Sequence, residues 1–205
     1  MKLVLGTSNP GKIRELRALL APLPLELITA ADLGLNEEPE EGTGSFAENA
    51  LLKARFYYGQ CGLPTLAEDS GLEVDALGGE PGIFSRRYAG EGATDGERIQ
   101  LLLSKMQGIP PGRRRARFRS AIALVVDSNR QYLFGGSVEG LIAEEPRGTE
   151  GFGYDPIFLL PELGRTMAEL SLEEKNRISH RARAAAGLAQ FLKGWLSKTT
   201  APEGE

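Results

Sequence analysis

Two groups of residues in this sequence have the types and spacings that phosphate and metal chemistry use. The first is Thr7-Ser8-Asn9-Pro10-Gly11-Lys12, which follows the apolar run Leu3-Val4-Leu5 and opens the amphipathic run Ile13, Leu16, Leu19, Leu20. A strand feeding a helix through such a turn aims several backbone N–H groups, a positive helix end and one lysine at a single spot, which suits an anion such as phosphate. Gly6 to Lys12 also reads G-x-x-x-x-G-K, but position 13 is Ile where a P-loop needs Ser or Thr for magnesium. Any metal must then be held from elsewhere in the chain. The plainer alternative is a connecting turn in which Asn9 caps the helix and Lys12 is solvated.

The second group is Glu68-Asp69-Ser70-Gly71, two adjacent carboxylates at the end of an apolar strand. Regular alternation sends their side chains to opposite sides, so a break at Gly71 is expected to turn the chain and bring both to one cleft. Magnesium takes one or two protein carboxylates and fills its shell with water and phosphate oxygens. The local alternative is an Asx-turn at Asp69. Glu40 and Glu41, in the acidic loop 36–44, are a further source of a metal ligand or plain surface charge.

Phe152-Gly153-Tyr154-Asp155 places two aromatics and a carboxylate on a glycine-rich loop. A purine stacked there gains about 1–3 kcal/mol; alternatively Phe152 is tucked into the core. His180, the sole histidine, stands beside Arg181, with Lys175 shortly before. No Ser/His/Asp or Cys/His triad can be assembled from it, but the three side chains offer donors that suit a carbonyl oxygen.

The elements that must position these groups are marked by caps and periodicity. Ser45 and Glu48 form an S-x-x-E capping box for a helix to about residue 58, with Asn49 and Lys53 four apart on one face. Thr94 with Glu97 opens a helix that buries Ile99, Leu102, Leu103 and Met106, and Ser171 with Glu174 opens a short one. Strands are expected at 25–29 and 64–71, with 72–76 extended, and a last helix at 179–196. Alternation over 116–127 and 131–143 predicts a long hairpin, buried on both faces near its middle. The three arginines at 113–115 are expected to be solvated. Interleaved strands and helices followed by a hairpin imply an α/β fold with a mixed sheet.

At 205 residues, 41% hydrophobic and 25% charged, the chain suits a single domain over 1–196, followed by a polar tail at 197–205 that is expected to fray. A net charge of -4 argues against a nucleic-acid partner but allows free nucleotides, which need only a local basic pocket. The one cysteine, Cys61, permits no intrachain disulfide, and no basic-then-apolar leader opens the chain, so the cytoplasm is the expected compartment. No run of about 18 apolar residues suggests a membrane partner.

Six ordered pieces resemble the inosine triphosphate pyrophosphatase family, hydrolases of non-standard purine nucleoside triphosphates such as dITP, ITP and XTP. They are T-S-N-P-G-K at 7–12, F-A-E-N-A-L-L-K-A at 46–54, E-D-S-G-L at 68–72, P-G-I-F-S-R-R-Y-A-G at 81–90, G-F-G-Y-D-P-I-F at 151–158 and E-K-N-R-I-S-H-R at 174–181. The resemblance implies an elongated mixed β-sheet flanked by helices, two lobes with a central cleft, a homodimer and a Mg2+ cofactor. It implies that the turn Thr7, Ser8, Asn9, Pro10, Gly11 and Lys12, with Lys53, holds the triphosphate. Asp69 would bind magnesium and act as the base, Glu40 would be a second metal carboxylate, and Ser70 would contact the nucleotide. Phe152, Gly153, Tyr154 and Asp155 would wall the base pocket, and Lys175, His180 and Arg181 would read the base. Position 68 is Glu where relatives often carry Asp, which favours Asp69 over Glu68 as the ligand.

Overall fold

The computed structural model describes residues 1–199. Seven strands form one mixed sheet in the order β2-β1-β3-β4-β5-β6-β7. β1 (Lys2–Leu5) lies parallel to both β2 (Glu26–Thr29) and β3 (Thr65–Val74), and the remaining neighbours are antiparallel. β4 (Arg115–Val125) and β5 (Gln131–Ile142) are the expected hairpin, followed by the short β6 (Phe158–Leu160) and β7 (Arg165–Thr166).

The helices begin where side chains satisfy their first N–H groups. α1 (Pro10–Leu20) is capped by Asn9 and α2 (Phe46–Cys61) by Ser45. α3 (Asp95–Lys105) and α4 (Leu172–Ile178) open with full capping boxes, Thr94 with Glu97 and Ser171 with Glu174. α5 (His180–Thr199) closes the described chain. It carries residues 197–199 of the expected tail in helical form, and 200–205 lie outside the described residues.

One face of β3 and β4 carries two apolar clusters with a polar band between them. Leu66, Ile122 and Leu124 belong to a cluster with α1 and α5, while Leu72, Val74, Ala116 and Phe118 belong to another with α3 and the 157–170 segment. By alternation Glu68, Ser70 and Ser120 fall between the two on that same face. On the other face α2 covers Ala67, Ala121, Ala123 and Val125. The two apolar clusters thus flank a polar centre.

β1 meets β3 only at Val4↔Thr65 and Leu5↔Leu66, with Gly6 N–H donating to the Leu66 carbonyl at 2.7 Å. The next anchor on that edge is Leu72, whose N–H donates to Ser85 Oγ at 2.9 Å from a 3-10 helix over Gly82–Arg87. The intervening edge of β3, which includes Glu68, Asp69 and Ser70, is where side chains from both sheet faces can reach one cleft.

Three expectations are corrected. β3 stays in regular register with β4 through Gly71, so no break turns the Glu68-Asp69 pair toward one side. Gly71 is instead a close-approach site, because a Cβ there would run into the Gly82 carbonyl and the Ser85 hydroxyl. The hairpin is buried on both faces only over 120–125 of β4, whose Arg115 and Arg119 are exposed, and β5 leaves Leu133 50% exposed. Finally, Arg114 is buried, donating from Nε to the Ile142 carbonyl at 2.7 Å and from Nη2 to that of Ala143 at 3.0 Å, so it ties the start of β4 to the end of β5.

Candidate active site

The turn between β1 and α1 is built as the spacing predicts. Asn9 Oδ1 accepts from Lys12 N–H at 3.1 Å and Thr7 Oγ1 accepts from Asn9 N–H at 3.2 Å. Pro10 stands first in the helix, where a missing N–H leaves nothing unpaired. A Cβ on Gly11 would come within 2.7 Å of Phe152 Cε1, so glycine lets the 151–155 loop lie on the start of α1. Ser8 donates both its N–H, at 3.3 Å, and its hydroxyl to Glu38 Oε1.

Behind this turn lies a buried ionic network between α1, β3, α4 and α5. Lys12 Nζ is 3.2 Å from Glu68 Oε2, and Arg181 Nη2 is 3.1 Å from Glu68 Oε1. Ser120 Oγ donates to Glu68 at 2.8 Å and Arg181 Nη2 to Ser70 Oγ at 3.2 Å. Glu15 of α1 is buried and bridges Lys175, at 2.8 Å, and Arg181, while Lys175 also pairs with Asp155. Lys12, Lys175 and Arg181 are thus set against Glu15, Glu68 and Asp155. Burial pushes the Glu68 carboxyl up, but Arg181 and Lys12 outweigh it and hold it far below the ordinary range. Glu15 is depressed by the same balance, with burial opposed by Arg181 and Lys175.

His180 is buried and stacked on Phe118 at 4.8 Å between ring centroids. Burial and then Arg181 hold its pKa well below 6.5, so the ring is neutral at pH 7. Its Nδ1 and Arg181 Nε are buried without a hydrogen-bond partner. Two polar atoms left open beside a cleft are where a polar ligand would be met.

From the other sheet face, α2 delivers Asn49 and Lys53 one turn apart. Lys53 Nζ donates to Asp69 Oδ1 and to Glu41 Oε1, both at 2.8 Å, and Asn49 Nδ2 to Asp69 Oδ2 at 3.3 Å. Burial lowers the Lys53 pKa, yet Asp69 and Glu41 outweigh it and keep the amine charged.

The 151–155 loop forms the opposite wall. Phe152 is half-buried, with Lys175 Nζ 5.0 Å and the Arg181 guanidinium 5.4 Å from its ring centre. Asp155 Oδ2 closes the loop by accepting from Phe152 N–H at 2.9 Å, and Gly153 N–H donates to Asp95 of α3 at 2.7 Å. Tyr154 belongs to the core and donates to the Ser85 carbonyl at 3.0 Å. Both rings of the expected base wall line the cleft, Phe152 half-buried and Tyr154 anchored in the core.

A single cleft is lined by Thr7, Asn9, Lys12, Lys53, Asp69, Ser70, Phe152, Gly153, Tyr154, Asp155, Lys175, His180 and Arg181. Its volume is about 110 Å³, well under the roughly 300–1,000 Å³ of small-molecule sites. Ser8, Pro10 and Gly11 shape the turn without lining the cleft. Glu40 is exposed and away from the lining, where Glu41, the next residue, stands instead. Glu68 also lies outside the lining, beneath Lys12 and Arg181 and paired with both.

Among the described residues no group of three or more His, Cys, Asp and Glu is placed to hold a metal. Asp69 and Glu41 nevertheless flank one ammonium group at the cleft wall, two hard oxygen donors around a positive charge. This pair fits a magnesium ion that completes its shell with water and phosphate oxygens, and does not fit a cation needing an all-protein cage.

Residues 3–191 match the model of the Ham1 family. The dITP/XTP pyrophosphatase of Thermus thermophilus is 52% identical over 193 residues, 94% of this chain and 92% of that protein. That of Geobacter sulfurreducens is 49% identical, covering 95% and 97%. Among solved structures, a HAM1 protein from Coxiella burnetii superposes with a TM-score of 0.86 at 44% identity, covering 95% of this chain and 99% of its own. A nucleoside-triphosphatase / dITP/XTP pyrophosphatase from Mycobacterium abscessus gives 0.75 at 44% identity, covering 92% and 98%. With the sequence match running almost end to end and the same fold beneath it, this chain belongs to the Ham1 family.

Proposed function

We propose that this chain hydrolyses non-standard purine nucleoside triphosphates, dITP, ITP and XTP, to the monophosphate and pyrophosphate, removing them from the nucleotide pool. The observation that carries the reading is the convergence of Lys12, Lys53, Asp69 and Phe152 with the Lys175, His180 and Arg181 group on one cleft. Relatives about half identical and named dITP/XTP pyrophosphatase support it.

The Thr7–Lys12 turn, with Lys53, takes the phosphate chain, and Ser70 contacts the nucleotide. Asp69 accepts a proton from water as that oxygen bonds to the α-phosphorus and the bond to the β-phosphate oxygen breaks; pyrophosphate leaves, its charge met by Lys12 and Lys53. Asp69 and Glu41 would hold magnesium, which when bound neutralises phosphate charge and polarises the α-phosphorus. The acceleration is one of positioning and charge stabilisation.

Base choice follows from hydrogen-bond polarity at C6. Hypoxanthine and xanthine present a carbonyl to Arg181 Nε and to the His180 ring, where adenine presents an amino group. A site built around such bonds rejects a mismatched analogue by factors of about 10⁴ to 10⁵ when buried partners go unpaired. As supporting context, the net charge of -4 disfavours nucleic acid, no helix among the described residues is long and apolar enough to cross a membrane, and the resemblance implies a homodimer. The reading places this homodimer in the cytoplasm.

The test is a nucleotide panel with orthophosphate and pyrophosphate measured separately, on the parent and on Asp69→Asn. ITP, dITP and XTP are expected to release pyrophosphate and ATP hardly any. Asp69→Asn loses about 10²–10⁴-fold in turnover while calorimetry still records nucleotide binding. Orthophosphate as the product, equal use of ATP, or near-parental turnover in the variant would remove the assignment.

A further inference from the structure

We propose that Glu38 is a clasp on the phosphate turn, an internal carboxylate that occupies the turn's donors and must be displaced before a polyphosphate can bind. This rests on the reading that the turn takes the substrate's phosphates.

Glu38 joins the two lips of the cleft through one carboxylate. Its Oε1 accepts from the Ser8 N–H, at 3.3 Å, and from the Ser8 hydroxyl, on the residue just before the α1 cap. Its Oε2 accepts from Arg86 Nη1 at 2.8 Å, on the 3-10 helix packed against the far part of β3. Two donors from a helix-opening turn and one guanidinium are the partners that a phosphate would take. Glu41 repeats the arrangement deeper in the cleft, on Lys53 at 2.8 Å. Burial raises the Glu38 pKa, but Ser8 and Arg86 outweigh it, so the group is ionised at neutral pH.

An anion and this carboxylate cannot share the Ser8 donors, since they carry the same charge and need the same hydrogens. Binding of an anion at the turn therefore requires Glu38 to give up its Ser8 bonds. The apparent affinity for an anion is then its intrinsic affinity multiplied by the unclasped fraction. A ligand gripping Lys12 and Lys53 as well as the turn overcomes that factor, whereas a single phosphate group has less to oppose it with. Glu38 thus sets a threshold of charge and length for occupancy, and its return to Ser8 favours departure of the cleaved products.

Calorimetry with inorganic tripolyphosphate on the full chain tests this in the parent, in Glu38→Gln and in Glu37→Gln. Glu37 is exposed, one residue away, so its variant makes the same charge change without touching Ser8. Glu38→Gln is expected to bind about threefold to tenfold tighter, with the KM for ITP falling by a similar factor and kcat not rising. Glu37→Gln should change binding by less than about twofold. Equal affinity in Glu38→Gln and parent, or the same gain in Glu37→Gln, overturns the clasp while leaving the phosphate turn intact. If none of the three proteins binds tripolyphosphate, it is the assignment of the turn that falls.

Discussion

Glu15 is the residue on which the cleft cations Lys175 and Arg181 depend. It is fully buried on α1, with one oxygen 2.8 Å from Lys175 Nζ and the other on Arg181, and it fixes both side chains relative to Phe152. Removing one partner from such a network strands the others, at about 3–5 kcal/mol for a buried pair. Glu15→Gln keeps the shape and deletes the charge, so it is expected to lower the urea midpoint and also to reduce the ratio of kcat/KM for ITP over ATP. A stability loss with unchanged base choice would reduce Glu15 to a purely structural ion. Nothing local in the sequence singles Glu15 out, because its partners are some 160 residues away and E-L-R reads as an ordinary helix surface. Lys12, Asp69 and the Lys175, His180, Arg181 group stand out by residue type and spacing and Lys53 by the family resemblance, and all of them line one cleft. Glu38 and Glu41 were not separable from Glu40, since an acidic loop carries no periodicity to say which carboxylate turns inward.

The caps of α2, α3 and α4 and the β4–β5 hairpin were legible for the corresponding reason: a capping box or a period of two involves only neighbours in sequence. Gly71 and Arg114 were misread because what governs them comes from other elements. At Gly71 the strand runs on unbroken and the 3-10 helix closes over it, with Phe46 Cε1 also 2.9 Å from the position of a Cβ. Gly71→Ala must push that helix outward, carrying Arg86 and the Ser85 contact to Leu72 with it. A loss of about 1–3 kcal/mol is expected, with a rise in the KM for ITP. Gly59, on the exposed side of α2, has nothing within 4 Å of a Cβ, and Gly59→Ala should stabilise by roughly 0.5–1 kcal/mol through helix propensity alone. Urea unfolding of both variants checks the pair. Equal effects would mean that the close approach at β3 does not govern the element.

At the scale of the molecule, the polar band between the two apolar clusters makes folding stability depend on pH in two stages. His180 is the only histidine, and its folded pKa lies well below the unfolded value of 6.5, through burial first and then Arg181, with Glu68 opposing. The unfolded chain therefore takes up a proton below pH 6.5 that the folded chain refuses, and stability present above that pH is lost as the pH falls. The slope approaches about 1.4 kcal/mol per pH unit, the value for one proton. Glu15 and Glu68, both depressed from 4.5, add a second loss that begins as the pH falls through the ordinary carboxylate range. Asp155, raised by burial despite Lys175, acts in the opposite sense, since acidification relieves a charge the fold disfavours. Urea midpoints at pH 7, 6.5 and 6 should therefore decline before the carboxylates of the unfolded chain begin to titrate. In His180→Asn the curve should start lower, because the stack on Phe118 is gone, and stay flat over that interval. Parallel curves for parent and variant would show that the buried ring carries none of the dependence, leaving the ionic network alone to account for the loss in acid.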